Sequence, residues 1–562
     1  MSVQDFVTPT PTSPQNATAK KGRPTANFHP CLWRDRFLEH SSDFMVVNSQ
    51  KSTGLTTKQE FEDLKQEVSK MLKDGNSDHS KKLHLINAVQ FLGVDYHFEE
   101  EIEDALQKIY DDGVVDYDLS TVALWFRLLR QQGIKAPSEV FKKFVDKKGK
   151  FKADLVNDVT GMLNLYEAAH FGIQGEDILD EALAFTTSSL ESIATQKQIS
   201  TQLIEQITHA LNRPIQKSFP RTEAKRCISF YSQDDHFASG QGALLRFAEI
   251  DFNVVQALHQ QELSRITEWW KKLDLTSKLP YARDRLIECY FWMMGIYYEP
   301  KYSAARIFLA KVLAITSIVD DTFDSYGIYE ELKIFEKCIE RWDIGVIDQL
   351  PNYMKLAYQA LLDLYSAIEG EVAKEGRQYA AHYGKESMKQ IAKSYLVEAK
   401  WREEGCVPSY EEYMQNGLIS GGIPLVIANS FVGMGKIASK EAFDWIFENP
   451  KIVEACSFIG RVMNDIASHQ RDHHASAVEC YMKQHCVSKE EAVESLKREI
   501  VDAWKVINKE RMKPTIFPTP LITRIVNMTR TLDLIYKDDD AYTRSYLLKD
   551  QIASLFVDPI LV

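Results

Sequence analysis

The sequence has none of the features that mark secreted or nucleic-acid-binding proteins. The first 30 residues contain no apolar core, which a secretory signal requires. The eight cysteines are scattered, with no Cys-x-x-Cys pair and no Cys/His spacing that would hold zinc, as expected of reduced thiols in a reducing compartment. The formal net charge of −13 argues against a nucleic-acid partner.

The N-terminal segment also has little charge and little apolar surface. Residues 1–22 are rich in Ser, Thr, Pro and Gln, a composition typical of disorder. A plastid transit peptide would have a similar composition. However, the segment contains Asp5 and no arginine, and the motifs described below begin at Arg23, which leaves little room for such a peptide. We therefore predict a disordered N-terminal segment and a cytoplasmic protein.

No part of the sequence shows a convincing strand pattern, and helical periodicity dominates. Amphipathic runs continue to about Leu211, residues 213–240 interrupt them with prolines and mixed charge, and helical patterns resume from Leu244. The chain has 562 residues, 44% of them hydrophobic, which is enough for more than one core. We predict an all-α protein with an N-terminal helical domain over 23–235 and a C-terminal helical domain over 236–562.

One stretch without charge, residues 417–435, is long enough to cross a bilayer. Its glycines and Pro424 instead favour a buried helix that is interrupted at residues 420–422, because these residues disturb the helical hydrogen bonds. We therefore predict no transmembrane segment.

Three carboxylates, Asp320, Asp321 and Asp324, stand at the end of an apolar helical run. Asp320 and Asp324 are four apart and share one helix face, and Asp321 is offset by about 100°. Carboxylates crowded at a helix C-terminus repel each other and oppose the helix dipole. A hard cation such as Mg²⁺ would offset that cost, because it takes oxygen ligands and keeps waters that a phosphate can replace. A solvated acidic helix end is the alternative interpretation.

A second polar face belongs to the apolar helix predicted over residues 452–466. It carries Arg461, Asn464, Ser468 and Asp472 at i, i+3, i+7 and i+11. Three oxygen-bearing side chains spaced four apart can converge on one cation, and the arginine one turn earlier can meet an anion. Two oxygen-rich helix ends predict a shared cleft that holds Mg²⁺ ions and a phosphate-bearing substrate.

From Arg23 to the C-terminus, the chain resembles the plant class I terpene synthases. The aspartate-rich motif of that family matches the three aspartates described above. Its second metal motif, (Asn/Asp)-Asp-x-x-(Ser/Thr)-x-x-x-Glu, matches Asn464, Asp465 and Ser468, but Asp472 stands where Glu is expected. The other matching segments are, in chain order, Arg23-Pro24 through Trp33, residues 97–102, Arg283-Asp284-Arg285 and residues 475–483.

The resemblance implies a C-terminal domain with the class I terpenoid synthase fold and an N-terminal domain like an α-barrel. It implies a lyase that uses Mg²⁺ to ionise farnesyl diphosphate, cyclises it to a sesquiterpene and releases diphosphate. Three Mg²⁺ ions are expected, with Mn²⁺ as a substitute, and the partner is a small allylic diphosphate. The chain is expected to act as a monomer, and the segment near Arg23 to close the mouth of the catalytic domain.

The resemblance also assigns roles to single residues. Trp292 would form part of an electron-rich wall, because an aromatic face stabilises a desolvated cation by about 2 kcal/mol or more. The catalytic group comprises Arg283, Arg285, Trp292, Asp540 and Tyr542. The group that binds the substrate diphosphate comprises Arg283, Asp320, Asp324, Arg461 and Asn464. The metal ligands are Asp320, Asp321, Asp324, Asn464, Ser468 and Asp472.

Other activities stay open at this point. A prenyltransferase would also ionise an allylic diphosphate, but it would carry two Asp-x-x-Asp motifs and no N-terminal domain. A non-catalytic binding protein is an alternative because Asp472 replaces Glu and about four residues that the family has before it are missing. A synthase that acts on geranyl diphosphate is another. The absence of an Asp-x-Asp-Asp motif argues against cyclisation started by protonation of an alkene.

Overall fold

The computed structural model describes residues 23, 28–38, 54–75, 78–113, 117–195, 200–233, 235–469 and 475–561. The predicted disordered segment 1–22 and the predicted ligand Asp472 lie outside these residues. Within the described ranges the chain forms helices and no strand, apart from an isolated antiparallel bridge between Val145 and Phe151. The all-α prediction is confirmed.

The helices fall into an N-terminal and a C-terminal series. The N-terminal series is α1 Gly54–Lys73, α2 His79–Phe91, α3 Glu99–Asp112, α4 Leu119–Gln131, α5 Val159–Ala169, α6 Asp177–Ala194, α7 Thr201–Asn212 and α8 Pro220–Tyr231. The C-terminal series is α9 Asp235–Leu273, α10 Leu275–Lys278, α11 Leu286–Ile296, α12 Ser303–Asp321, α13 Tyr329–Arg341, α14 Asn352–Lys374, α15 Gln378–Glu404, α16 Tyr410–Ser420, α17 Ile423–Val432, α18 Lys440–Phe447, α19 Lys451–Ser468, α20 Ala477–His485, α21 Lys489–Glu510, α22 Thr519–Tyr536 and α23 Lys549–Phe556.

Short helical turns of other geometry connect these elements. A turn of π-helix, Thr322–Tyr326, continues α12. The 3₁₀ turns are Asp95–His97, Ser138–Phe144, Ala153–Asn157, Ile215–Lys217, Pro300–Tyr302, Ile344–Gln349, Gly435–Ile437 and Ser545–Leu548.

Local sequence signals explain where several helices begin and which face they bury. α3 starts with three glutamates, which suit the positive end of the helix dipole, and it buries Ile102, Leu106 and Ile109 on one face. α16 and α21 each start at a capping serine, Ser409 and Ser488, and a glutamate three residues later completes a capping box in both.

The sequence predicted an interruption of the helices over residues 213–240, and the structure has it in part: residues 213–219 separate α7 from α8, but residues 220–231 are helical. Pro220 is the first residue of α8, and Pro214 precedes a 3₁₀ turn. A proline costs little at such a position, because the first N–H groups of a helix have no intrahelical partner. α9 then begins at Asp235, with non-helical geometry at Gln241. The predicted interruption is therefore wrong over α8.

The two series of helices share buried surface. One cluster of buried apolar side chains extends from Trp33 to Phe556, beside a smaller separate cluster on α5, α6 and α7. α9 packs against α1 of the first series and α11 and α12 of the second. A buried polar contact also joins the two series, because Asp251 on α9 accepts a hydrogen bond from the hydroxyl of Tyr96 at 2.5 Å and lies 2.9 Å from His97. The predicted boundary after residue 235 falls at the start of α9 and stays a proposal.

The uncharged stretch 417–435 forms a broken helix, as predicted. α16 ends at Ser420, Gly422 has a φ of +78°, and α17 starts at the next residue. Glycine suits this left-handed conformation because it has no Cβ atom to clash with the backbone. Pro424 lies in the first turn of α17, where its missing N–H costs nothing.

One described segment has the length and composition of a membrane span. It is Pro300–Tyr326, which contains α12, and 72% of its apolar window is buried inside the protein. Such burial is typical of a core helix, and α12 packs against α9, α11, α14 and α17.

Candidate active site

A cavity of about 770 Å³ opens in the C-terminal series of helices. Its wall is made by α11, α12, α15, α19 and α22, by the break between α16 and α17, and by the loop after α22. The predicted site residues that line it are Arg283, Trp292, Asp320, Asp321, Asp324, Arg461, Asn464, Ser468, Asp540 and Tyr542. The fold therefore brings the described residues of both predicted metal motifs, the predicted aromatic wall and the C-terminal loop to one cavity.

The first aspartate motif lies where α12 ends and the π-turn begins. Asp321 is the last residue of α12. The π-turn ends where the N–H of Gly327 donates to the carbonyl of Thr322 at 2.8 Å. The side chains differ sharply in exposure: Asp321 is 1% exposed, Asp320 32% and Asp324 53%. Asp320 and Asp324 are therefore the more accessible carboxylates of the cavity wall, and Asp321 is the buried one.

Arg283 holds the first two aspartates. Its guanidinium lies 2.6 Å from a carboxylate oxygen of Asp320 and 2.9 Å from one of Asp321, and its main-chain N–H donates to Asp321 at 2.7 Å. Burial raises the pKa of Asp320 to about 7, while Arg283 opposes that shift and the neighbouring carboxylates Asp321 and Asp324 add to it. The carboxylates at this helix end are thus crowded and partly neutralised by an arginine.

Arg285 does not line the cavity, although the sequence placed it in the catalytic group with Arg283. It is the residue before α11, it is buried, and its guanidinium donates to the main-chain carbonyls of His29, Tyr542 and Thr543 at 2.9–3.1 Å. Arg283 and Arg285 both lie in the non-helical segment before α11, and the carbonyls around Arg285 hold its side chain away from the cavity. Arg285 therefore fastens the N-terminal segment and the C-terminal loop to the start of α11.

The second metal motif occupies the last turns of α19. Asn464, Asp465 and Ser468 all line the cavity, and the Asp465 side chain is only 1% exposed. Asp465 accepts hydrogen bonds from the hydroxyl of Tyr413 at 2.8 Å, from the N–H of Ala477 at 2.8 Å and from Nε of Arg461 at 2.9 Å. Asp465 thus fixes Arg461 at the cavity and joins α19 to α16 and α20.

The structure adds Glu398 and Arg402, which the sequence reasoning missed, to the cavity wall. Both lie on α15 with Tyr395, at i, i+3 and i+7, so a polar stripe on this long helix was the signal that could have found them. The hydroxyl of Ser420 donates to Glu398 at 2.5 Å. Burial raises the pKa of Glu398, and the nearby Arg461 opposes that shift.

Aromatic side chains form the inner wall. Trp292 on α11 stacks on Tyr542, with ring centroids 5.3 Å apart and planes 10° from parallel, and contacts Tyr536 edge to face at 6.3 Å. Asp540 accepts hydrogen bonds from the N–H groups of Tyr542 and Thr543 at 3.1 and 3.0 Å, which shapes the C-terminal loop. Burial holds the pKa of Tyr542 well above its ordinary value, so its hydroxyl stays neutral.

The N-terminal segment reaches the mouth of the cavity. The Arg23 guanidinium bonds to both carboxylate oxygens of Glu331, at 2.7 and 2.8 Å, and lies over the rings of Tyr326 and Tyr353 at about 5 Å. Phe28 lines the cavity, with its ring 5.2 Å from the Arg283 guanidinium. The N-terminal segment is therefore bound to α13 through Arg23 and reaches the cavity through Phe28.

The donor atoms of the site suit a hard divalent cation. Carboxylate, amide and hydroxyl oxygens from α12 and α19 face one cavity, and these are the ligands that Mg²⁺ prefers. Among the described residues, no three His, Cys, Asp or Glu side chains already form a compact ligand group. The first-motif aspartates are instead held by Arg283 and Arg402.

The fold and the site together define a metal-dependent enzyme that acts on a diphosphate. Two family models match the chain: "Terpene synthase, N-terminal domain" over residues 32–211 and "Terpene synthase family, metal binding domain" over residues 271–506. The chain belongs to the terpene synthase family.

Named relatives agree with this assignment over nearly the whole length. The chain is 50% identical over 551 residues to valencene synthase of Vitis vinifera, covering 96% of this chain and 97% of that protein. It is 49% identical over 553 residues to (-)-germacrene D synthase of the same plant, covering 97% of both. Isoprene synthase of grey poplar (Populus x canescens), solved in complex with three Mg²⁺ ions and dimethylallyl-S-thiolodiphosphate, superposes with a TM-score of 0.85 at 33% identity, covering 90% of this chain and 98% of that one.

Proposed function

We propose that this protein ionises farnesyl diphosphate in the presence of Mg²⁺, cyclises the resulting cation to a sesquiterpene and releases diphosphate. The proposal rests on one observation: the mouth and the inner wall of the cavity are lined by different kinds of side chain. Its mouth has carboxylates from the end of α12 and arginines from the segment before α11, from α15 and from α19, and its inner wall has stacked aromatic rings. A diphosphate fits the first part, and an allylic cation fits the second.

Asp320, Asp321, Asp324, Asn464 and Ser468 would hold the metal ions, three in number, with Mn²⁺ as a substitute. When bound, the ions supply Lewis acidity toward the oxygens of the leaving group. Asp472, outside the described residues, is the further ligand that the sequence predicts. Because Asp is shorter than Glu by one methylene, we propose that it binds weakly or through a water and raises the Mg²⁺ requirement.

The chain's own residues would do the remaining work. Arg283 and Arg461 neutralise charge that builds on the departing diphosphate, since both guanidinium groups line the cavity. The Trp292–Tyr542 pair presents aromatic faces to the cation. The break between α16 and α17 lines the cavity at residues 420–422, so main-chain carbonyl dipoles at the end of α16 can stabilise positive charge there.

Support for a C15 substrate comes from the relatives, since valencene and germacrene D are both sesquiterpenes. The alternative is a synthase that acts on geranyl diphosphate, which differs only in the carbon chain length of the substrate. We also propose that the protein is a monomer in the cytoplasm, with domains over 23–235 and 236–562. The family models leave residues 212–270 between them, which accommodates that boundary.

The test is incubation of the purified chain with geranyl, farnesyl or geranylgeranyl diphosphate, with Mg²⁺ or with a chelator, followed by gas chromatography and a diphosphate assay. We expect sesquiterpenes and diphosphate from farnesyl diphosphate with Mg²⁺, and neither with the chelator. Chelator-resistant turnover would contradict the metal-dependent mechanism. Binding of farnesyl diphosphate without any product would favour the non-catalytic alternative, and a preference for geranyl diphosphate would overturn the chain length alone.

A further inference from the structure

We propose that Arg402 is a further diphosphate-positioning residue, which exchanges the Asp324 carboxylate for a diphosphate oxygen when the site is loaded. The inference deepens the proposed function and rests on it. Arg402 belongs to neither metal motif and not to the Arg-x-Arg segment. It lies in the last turn of α15, lines the cavity, and has a side chain that is 23% exposed.

Main-chain bonds hold the Arg402 guanidinium at the mouth. One nitrogen donates to the carbonyl of Phe323 at 2.6 Å, and the other donates to the carbonyl of Asp324 at 3.0 Å. The same second nitrogen donates to the Asp324 carboxylate at 2.8 Å. The two carbonyl bonds do not depend on the state of the carboxylate. They therefore keep the guanidinium in place if Asp324 turns toward a cation.

Three arginines line the described cavity, and each is paired with a carboxylate of a metal motif. Arg283 holds Asp320 and Asp321, Arg461 holds Asp465, and Arg402 holds Asp324. Asp465 is buried and has other donors, but Asp324 is 53% exposed. Arg402 is thus the arginine whose partner is most accessible among these pairs.

Exchange of partners follows from the charges that face the mouth of the cavity. If Asp324 binds a cation, the Arg402 guanidinium loses its anionic partner and lies near a second positive charge, so an anion beside it becomes favourable. A diphosphate in the same mouth offers oxygen acceptors, and guanidinium–phosphate hydrogen bonds are charge-assisted. The same arginine therefore neutralises the carboxylate in one state and the leaving group in the other.

A purely structural role makes a different prediction. An arginine in the last helical turn suits the helix dipole, and the two carbonyl bonds brace the π-turn. If these were its only functions, removing the guanidinium would lower the melting temperature of the protein and leave its affinity for diphosphate unchanged.

The experiment compares Arg402→Gln, Arg402→Lys and Lys400→Gln with the unmodified chain. Lys400 lies on the same turn and pairs with Glu404 at 3.8 Å, with a side chain that is 55% exposed, so Lys400→Gln is a matched loss of charge away from the cavity. Binding of inorganic diphosphate with excess Mg²⁺ is measured by calorimetry. KM and kcat for farnesyl diphosphate are measured alongside, and melting temperatures are measured with a chelator.

We expect Arg402→Gln to weaken diphosphate binding and raise KM by about tenfold, the loss of a charge-assisted hydrogen bond. Arg402→Lys should recover part of the affinity, and Lys400→Gln should bind normally. Equal diphosphate affinity in Arg402→Gln and Lys400→Gln would overturn the inference. A lower Mg²⁺ requirement of Arg402→Gln with unchanged diphosphate affinity would also overturn it, because Arg402 would then only compete with the cation. If the unmodified chain forms no product, the proposed function fails instead.

Discussion

Asp320 and Asp321 are adjacent in the sequence but have different surroundings. We predict that Asp320→Ala lowers metal-dependent turnover by about a hundredfold or more, because it removes a carboxylate that would bind the Mg²⁺ beside the diphosphate leaving group. Its melting temperature with a chelator should be unchanged or slightly higher, since Arg283 keeps Asp321 as a partner and a crowded carboxylate is removed.

Asp321→Ala should behave differently, because Asp321 is 1% exposed and bonds to both the guanidinium and the N–H of Arg283. Breaking such a buried pair costs about 3 kcal/mol. We therefore expect a clearly lower melting temperature in this variant alone. Both variants are compared by diphosphate release and by thermal denaturation in the absence of metal. A large loss of stability in Asp320→Ala would show that this carboxylate is structural.

Trp292 contributes to the wall of the cavity and not to its mouth. We predict that Trp292→Leu keeps Mg²⁺-dependent diphosphate release, because the aspartates and arginines are untouched, but changes the product mixture seen by gas chromatography. The stack with Tyr542 is lost, so the cation meets a different surface. Trp445→Leu is the control, since Trp445 packs on Phe517 and does not line the cavity. An unchanged product profile in Trp292→Leu at normal rate would assign the residue to packing only.

At the scale of the element, the break between α16 and α17 depends on one backbone conformation. Gly422 has a φ of +78° and lines the cavity. We predict that Gly422→Ala lowers stability by about 1–2 kcal/mol, the cost of a left-handed conformation for a residue with a Cβ atom. Turnover should fall as well, since Gly422 lines the cavity and its neighbour Gly421 lies against the Arg461 side chain.

Gly435→Ala is the matched control for that element. Gly435 has a φ of +66°, an added Cβ atom meets nothing within 4 Å, and the residue does not line the cavity. It should therefore lose similar stability and keep its activity. Thermal denaturation and steady-state kinetics of both variants separate the two effects. Equal losses of activity in the two glycine variants would argue that the break has no role in the chemistry.

At the scale of the whole molecule, the N-terminal segment connects to the mouth of a cavity formed more than 200 positions later. We predict that Arg23→Ala raises the proportion of alcohol products, because a looser segment admits water that quenches the cation. Stability should change by about 1 kcal/mol or less, since the Arg23–Glu331 pair is partly exposed.

Lys301→Ala is the control for that prediction, because the Lys301–Glu99 pair also joins the two series of helices, is exposed, and lies away from the cavity. Its ratio of alcohol to hydrocarbon, measured by gas chromatography, should equal that of the unmodified protein. The idea is contradicted if both variants give the same product ratio as the unmodified chain.

The sequence by itself determined the helical class, the faces that carry the two metal motifs and the break near residue 420. These are local properties: periodicity and glycine or proline geometry act within a few turns of one helix. The error over residues 220–231 has the same origin, because a proline that interrupts a helix and one that begins it look alike without the neighbouring backbone.

Only the tertiary structure decided which side chains face the cavity. Glu398 and Arg402 line the cavity because α15 packs beside the end of α12. Arg285 does not line it, because its guanidinium binds carbonyls of the C-terminal loop and the N-terminal segment. Asp465, a motif residue, became a buried support for Arg461 in the same way. Such outcomes depend on contacts between residues far apart in the chain, and periodicity within one helix does not encode them.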